Sequence, residues 1–497
     1  MSLTATILAL RTVAGLARVE PGEGEVTLAA TELTTVETHW SETGIRVRPW
    51  VPSKRVATLA RGTRLRVRGE VASRDNNGCH GKPWYAVFPF GFVCSEHVKR
   101  SKAEPATGKA LPLTRDRRLP YDYVITRDES LAMYASVAAI EAGQVARTLA
   151  SGSNLAVART VDVGGTPYIE TVDGMLVQKQ GVGWLGQGSD WSGAPLLPAG
   201  AEPTPGPAFA WTLKDKTPVY AEADRKSVQV GVLPLRARVA LLEEAGEDEA
   251  TRFWQIAEGQ WVAASQLAEV MIIEPPDGVL RDNRVRSGND QWIDVNLGEQ
   301  VLVAYRDHTP VYATMVSSGK GSPTPRGNYP IWAKVASMTM ANQDYEDKPY
   351  MVEHVPWVLL FQGHNAIHGA YWHDRFGNRR SHGCVNLAPR DARWIFEWVS
   401  PTLPAGWTGY IPSELERSVV VHVRDSSLPA AEAFIQERPI GPPDPEEEKR
   451  KLELAEGRRV EAAAEAATAA ATAAIAGDPA DAADPGASAV PGPPAIQ

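Results

Sequence analysis

The sequence predicts a mainly β protein: three small β-barrel modules, a longer β domain with one main helix, and a disordered C-terminal tail. Three observations carry this expectation. The 497 residues include Gly 42 and Pro 38, which favour turns and short strands over long helices. Runs such as Ile45-Arg46-Val47-Arg48 and Leu65-Arg66-Val67-Arg68 alternate apolar and charged residues, the period of a half-buried strand. From residue 290 the apolar runs lengthen, and Trp357-Val358-Leu359-Leu360-Phe361 has the length of a core strand.

In chain order, residues 1–40 read as a leader or irregular segment, followed by three units that share one loose pattern of short strands ending in an aromatic strand, a Gly and an apolar pair. The units span 41–100, 120–186 and 211–270. In the first the pattern falls on Ile45, Val47, Leu65, Val67, Trp84, Tyr85, Val87, Gly91, Phe92 and Val93; in the third, on Val219, Tyr220, Val239, Leu241, Trp254, Ile256, Gly259, Trp261 and Val262. Segments 100–120 and 187–210, rich in Pro, Gly and Ala, read as linkers. Within 290–424, Trp292 to Leu297 and Gln300 to Tyr305 flank Gly298-Glu299 and predict a hairpin. After Pro389, the helical spacing of Ala392, Ile395, Phe396 and Val399, with Asp391 in the first turn, predicts a helix over 390–399. The segment 437–497 is Ala- and Pro-rich. It has no aromatic residue from Gly441 onward, too little apolar surface to offset the entropy of ordering.

Composition narrows the function classes. Lys and Arg total 51 against 60 for Asp and Glu, and a formal charge of −9 speaks against a nucleic-acid partner. No run of 18 uncharged apolar residues occurs, so no membrane span is expected. The stretch Thr4 to Leu10 lacks a basic leader and is interrupted by Arg11, a poor secretory signal. Three cysteines cannot build a disulfide framework or a four-thiolate zinc site. Cys79 and Cys94 flank the strand Trp84 to Phe90, and the spacing leaves two readings open: a disulfide, or two separate buried thiols.

Chemistry concentrates between Ile367 and Leu387. The lone Cys384 follows Ser381-His382-Gly383, and His364, His368 and His373 lie nearby. A thiol with a reference pKa of about 8.5 needs a base or positive charge to become a nucleophile, and a histidine supplies one. The Gly-containing turn can aim backbone N–H groups at a developing oxyanion. Against this stands the ordinary role of cysteine as a small buried hydrophobe. His364 and His368 have the i, i+4 spacing of zinc proteases, but Asn365 stands where their mechanism needs a Glu and the pair follows an apolar strand; no metal and no cofactor are expected.

The order His368, a twelve-residue spacer over 369–380, then Ser381-His382-Gly383-Cys384 and Asn386 resembles the L,D-transpeptidase, or YkuD-type, catalytic domain. A second mark of that family, a Pro-Thr-Pro-x-Gly turn before a strand, is present as Pro323-Thr324-Pro325-Arg326-Gly327. The preceding units resemble bacterial Src-homology-3-like domains by pattern. The resemblance implies a β-sandwich-like catalytic domain over 290–424, with Cys384 as nucleophile and His368 as general acid/base. It also implies that the Gly369 carbonyl orients the imidazole, that Gly383 and Cys384 provide oxyanion N–H groups, and that His382 and Ser381 support the turn. Asn386 matches the polar residue that closes the motif, structural or substrate-contacting, and Ser381 lies in the same motif; from the residues themselves, Tyr371 and Trp372 read as walls of a substrate cleft or as packing, and Arg380 as a contact for stem carboxylates or a solvated charge.

The implied reaction is attack on the third residue of a peptidoglycan tetrapeptide stem, loss of the terminal D-alanine, and transfer to an amine, with β-lactams of the carbapenem class as inhibitors. That function implies a location in the cell envelope or periplasm and a role in cell-wall biogenesis and cell shape. Two other readings stand beside it. One is an L,D-carboxypeptidase or other amide hydrolase on the same fold; the other is a non-catalytic wall-binding protein.

Overall fold

The computed structural model describes residues 28–428, apart from 30, 33, 41, 72–78, 107–116, 197–203, 249, 277–278, 281–289, 321–323, 342–350, 405, 413–414 and 416–417. The expected tail 437–497, most of the 1–40 segment and Pro323 lie outside the described residues.

The hairpin expected around Gly298-Glu299 consists of strands Gln291–Asn296 and Val301–Arg306, in register from Gln291 opposite Arg306 to Asn296 opposite Val301. These strands centre a six-stranded sheet completed by Thr309–Met315, Ala194–Pro195, Val420–Arg424 and Gly327–Pro330. Val420–Arg424 runs parallel to Gln291–Asn296. Gln291–Asn296 is buried at every position. Because side chains alternate along a strand, such a strand must be covered on both faces. Ile293, Val295, Leu302 and Ala304 enter one core, together with Val358, Phe361, Ile367, Val385 and Ile395. Trp292, Val301, Val303 and Tyr305 enter a second core on the opposite face, filled by Phe209, Trp211, Val270 and Ile272 of the third β unit.

The first core lies against a second layer made of the antiparallel strands Ala333–Ala341 and Met351–Gln362, then Asn365–Gly369, Val385–Leu387 and Trp407–Tyr410. The helix Pro389–Trp398 buries Ala392, Ile395 and Phe396, and its Asp391 is fully buried. The Asp391 carboxylate accepts from Tyr312 at 2.7 Å, Thr314 at 2.5 Å and the Gly193 N–H at 2.9 Å.

The three units are β structures, but their strands form open ladders and not the closed barrels expected from the sequence. In the first two units the physical reason is edge sharing. Arg55–Ala60 of the first unit pairs with Trp407–Tyr410, and Asn154 of the second lies beside Val352. A free edge has to be paired or covered, and here a neighbouring strand of the last domain does it. Asp173 of the second unit also accepts from His354 Nε2 at 3.1 Å, while His354 Nδ1 accepts from Ser337 Oγ at 3.0 Å.

The segment expected as a linker over 187–210 is structured where it is described. Ala194–Pro195 pairs with Tyr312 and Ala313, and Gly206–Thr212 is a strand of the third unit. Its Pro, Gly and Ala content gives it no side-chain periodicity, and its order comes from partners distant in sequence.

Cys79 and Cys94 are joined by a disulfide with Cα atoms 5.6 Å apart, packed with Trp84. The two residues are 15 apart in sequence, and closing a loop of that length stabilises by about 3 kcal/mol in the chain-entropy account. Replacing both with Ala is expected to lower the unfolding free energy of the first unit by about that amount, with a matching fall in its denaturant midpoint. An unchanged midpoint would show that the link does not constrain the unfolded chain.

Candidate active site

The strand Asn365–Gly369 pairs antiparallel with Met351–Gln362 on one side and parallel with Val385–Leu387 on the other, with Ile367 opposite Val385 and His368 opposite Asn386. Cys384 immediately precedes the parallel strand. The pairing therefore sets His368 and Cys384 on neighbouring strands, although fifteen residues intervene. The i, i+4 pair His364 and His368 lies at a strand and not on one face of a helix. Among the described residues, no three His, Cys, Asp or Glu side chains group so as to hold a metal ion.

His368 is 2% exposed, and its Nδ1 lies 3.3 Å from the Gly369 carbonyl oxygen. A carbonyl only accepts, so Nδ1 carries the hydrogen and Nε2 keeps its lone pair in the neutral ring. Burial pushes the His368 pKa down to about 4, against the opposing effect of the Gly369 carbonyl. Desolvation pushes the half-buried Cys384 thiol up to about 11, against a hydrogen bond from the backbone of Ala366. The thiol donates to the His364 carbonyl at 3.8 Å. At neutral pH both groups are thus uncharged, the imidazole with a free Nε2 lone pair and the thiol with its proton.

The turn before Cys384 is fixed from three directions. Ser381 Oγ donates to the Cys384 carbonyl at 2.5 Å and accepts from the Gly383 N–H at 3.1 Å. Thr324 Oγ1 donates to the Gly383 carbonyl at 2.8 Å and accepts from the Gly319 N–H at 3.1 Å. The Ser381 N–H donates to Ser318 O, and the Lys320 N–H donates to Ser381 O. Ser318 is held in turn by Gln300, whose Oε1 accepts from the Ser318 N–H at 2.8 Å. Gly383 has φ +134°, and a Cβ there would collide with Asn365 Oδ1, so the position requires glycine.

The other expected site residues divide. Gly369 sits where its carbonyl meets His368. The Gly383 N–H, expected to face an oxyanion, is taken up by Ser381 Oγ. Tyr371, expected at the cleft, is 2% exposed; its hydroxyl donates to the Glu353 carbonyl at 2.9 Å and its ring stacks on Tyr123 at 3.7 Å. It is a packing residue because the second unit covers it. Trp372 is half-buried with its ring 5.9 Å from His368. His382 and Arg380 are exposed.

Asn386 is 3% exposed and faces His373 Nε2 at 3.1 Å. His373 Nδ1 accepts from the Arg375 N–H at 3.2 Å, so Nε2 of the neutral ring carries hydrogen. Burial and Arg380 keep that ring neutral by lowering its pKa to about 4. The network therefore assigns the Asn386 amide oxygen, not the nitrogen, to the side facing His373. Sequence reasoning reads His373 as a surface or supporting histidine and gives Thr324 no role of its own. Thr324 carried a signal, its place in the Pro-Thr-Pro-x-Gly turn, but a hydroxyl bridging two loops 59 residues apart has no local pattern.

Residues 290–421 match the family model described as YkuD, the L,D-transpeptidase catalytic domain. This segment is a YkuD-type domain. A putative L,D-transpeptidase, YciB of Bacillus subtilis (strain 168), is 27% identical over 120 residues, covering 21% of this chain and 59% of that protein. The chain thus spans about three fifths of the curated relative it matches. Among solved structures, the catalytic domain of the Enterococcus faecium L,D-transpeptidase is 24% identical, covering 27% of this chain and 95% of that one, with a TM-score of 0.22. L,D-transpeptidase 3 of Mycobacterium tuberculosis in complex with a faropenem-derived adduct is 18% identical, covering 28% and 62%, with a TM-score of 0.23. The likeness of the preceding units to Src-homology-3-like domains rests on residue pattern alone.

Two expectations follow for the YkuD domain. With the thiol raised to about 11, Cys384 alkylation by iodoacetamide should climb about tenfold per pH unit from 7 to 10, because only the thiolate reacts; a plateau near pH 6 would mean a preformed thiolate–imidazolium pair. Thr324→Val leaves the Gly383 carbonyl and Gly319 N–H without their buried partner, which costs about 1–3 kcal/mol. The domain's unfolding midpoint should fall accordingly, while Thr324→Ser keeps it.

Proposed function

We propose that the protein is a peptidoglycan L,D-transpeptidase that works through a Cys384 thioester, with His368 as its acid and base. The Cys384 thiol proton passes to His368 Nε2 as sulfur attacks the carbonyl of the third stem residue. The C–N bond to the terminal D-alanine then breaks, and His368 returns the proton to the leaving amine. An acceptor amine attacks the thioester, gives a proton to His368, and the thiolate leaves and is reprotonated. One acid/base serving two half-reactions is the logic of covalent catalysis. The observation that carries this reading is the parallel pairing of the His368 strand with the strand that follows Cys384, combined with an imidazole whose free nitrogen is Nε2. The match of residues 290–421 to the YkuD family supports the substrate class, and with it a site of action in the cell envelope. Among the described residues no helix is long and apolar enough to cross a membrane.

Incubation of the full chain with a tetrapeptide-stem muropeptide, followed by mass analysis, is expected to give cross-linked dimers. Trimmed tripeptide without dimer would indicate the carboxypeptidase reading. Cys384→Ala should reduce turnover by at least about 10³-fold and His368→Gln by about 10²–10⁴-fold. A carbapenem is expected to leave a stoichiometric adduct on Cys384 by intact mass. Activity that survives Cys384→Ala but is lost to a chelator would overturn the thiol mechanism.

A further inference from the structure

The loop between His368 and Cys384 is gripped from outside the YkuD domain. Arg236 lies on a turn of the third β unit, with φ +64°, a conformation disfavoured for a residue with a side chain. One guanidinium nitrogen donates both to the Asp374 carboxylate at 2.6 Å and to the Asp374 backbone carbonyl at 2.9 Å. The Arg236 side chain is only 10% exposed, and its Nε has no hydrogen-bond partner among the described residues. A buried cation with an unmet donor is a poor device for stability alone. Burial by itself would raise the Asp374 carboxyl, but hydrogen bonds from Arg236 and Ser189 hold it below its ordinary value.

The grip continues along the loop. Trp191, over which Arg236 stacks at 5.3 Å, lies face to face with Phe376 at 6.4 Å. Gly377 has φ +92°, and a Cβ there would come within 2.6 Å of Leu213 in the third unit. On its inner side the same loop runs into the site. The Gly377 N–H donates to the Val316 carbonyl, and Ser317 Oγ donates to the Arg375 carbonyl. His373 pairs with Asn386, the residue opposite His368 in the parallel ladder, and the Trp372 ring lies 5.9 Å from the His368 ring.

We propose that Arg236 is a positioning residue for the transfer reaction: by fixing Asp374 it holds Trp372 and His373 against the His368 and Asn386 strands. The third unit thereby completes the active site from outside the domain. This rests on the function proposed above. A displacement of the reacting groups by a fraction of an ångström to an ångström is costly when geometry supplies the rate.

The test uses the full chain and four variants, Arg236→Ala, Arg236→Lys, Asp374→Ala and the double variant Arg236→Ala/Asp374→Ala. The readouts are carbapenem acylation of Cys384 by time-resolved intact mass, KM and kcat on the muropeptide, and hydrogen exchange of the 370–380 peptide. Arg236→Ala is expected to slow acylation and kcat roughly tenfold with KM within about twofold, and to speed exchange at 370–380 specifically. Arg236→Lys should recover part of the rate. Asp374→Ala, which keeps the backbone-carbonyl contact, should lose no more than Arg236→Ala, and the double variant should match Arg236→Ala. Wild-type acylation in Arg236→Ala overturns the proposal, as does a loss accompanied by faster exchange throughout the chain. If the wild-type protein takes no adduct and forms no product, the proposed function fails instead, and unchanged exchange at 370–380 in Arg236→Ala would still overturn the clamp.

Discussion

The candidate site depends on one short parallel pairing, Asn365–Gly369 against Val385–Leu387. Parallel strands cannot be joined by a tight turn; the chain has to travel back to the starting end, which takes a dozen or more residues. The spacer between His368 and Cys384 is that return path. Its length is a geometric requirement of putting two residues side by side on parallel neighbours. The cost is that the path itself is a loop without a ladder of its own, so its backbone groups must find partners elsewhere. They find them at 316–318, at Leu387 and, through Asp374, in the third unit.

The electrostatics follow from the same burial. A ring 2% exposed is expensive to charge, and a desolvated thiol is expensive to ionise. The two shifts run in opposite directions, and together they widen the gap that a proton must cross before attack. With the thiol raised in this way, little of it is present as thiolate at neutral pH. In the reaction proposed above, charge develops only as the substrate carbonyl arrives and offers somewhere for it to go. The neutral ring also needs a fixed tautomer, which Gly369 supplies with its backbone, so that no side chain is required at that position.

Much of this was legible in the sequence, and the reasons are specific. The hairpin at 291–306 and the helix after Pro389 follow from local signals, a turn dipeptide and a 3.6-residue apolar period. That His368 and Cys384 lie on neighbouring strands agrees with a motif spacing that parallel pairing requires. What was not legible came from long-range contacts. Tyr371 reads as a cleft aromatic until Tyr123 of another unit stacks on it. The Gly383 N–H reads as an oxyanion donor until Ser381 Oγ is found against it. The segment 187–210 reads as a linker because Pro, Gly and Ala carry no periodicity, yet Gly193 is chosen for closeness: its N–H reaches buried Asp391, and a Cβ would strike the Ala313 carbonyl. The open ladders of the first two units are a further case, since a sequence shows a strand's alternation and not which edge will cover it.

The third unit illustrates how far an accessory domain can be from a spacer. The central strands of the YkuD domain put Trp292, Val301, Val303 and Tyr305 on the face away from its own core, and the third unit covers them with Phe209, Trp211 and Val270. A sheet buried on both faces is characteristic of an interior layer, so the domain boundary seen in sequence is not a boundary of the hydrophobic core. Once the two are packed in this way, their relative placement is set by side-chain interdigitation at interior density and is not free to drift. That rigidity is what allows a residue as distant in sequence as Arg236 to act on a loop beside His368. A polar contact across a loose interface would follow the motion of the linker, whereas one at the rim of a shared core inherits the precision of the core.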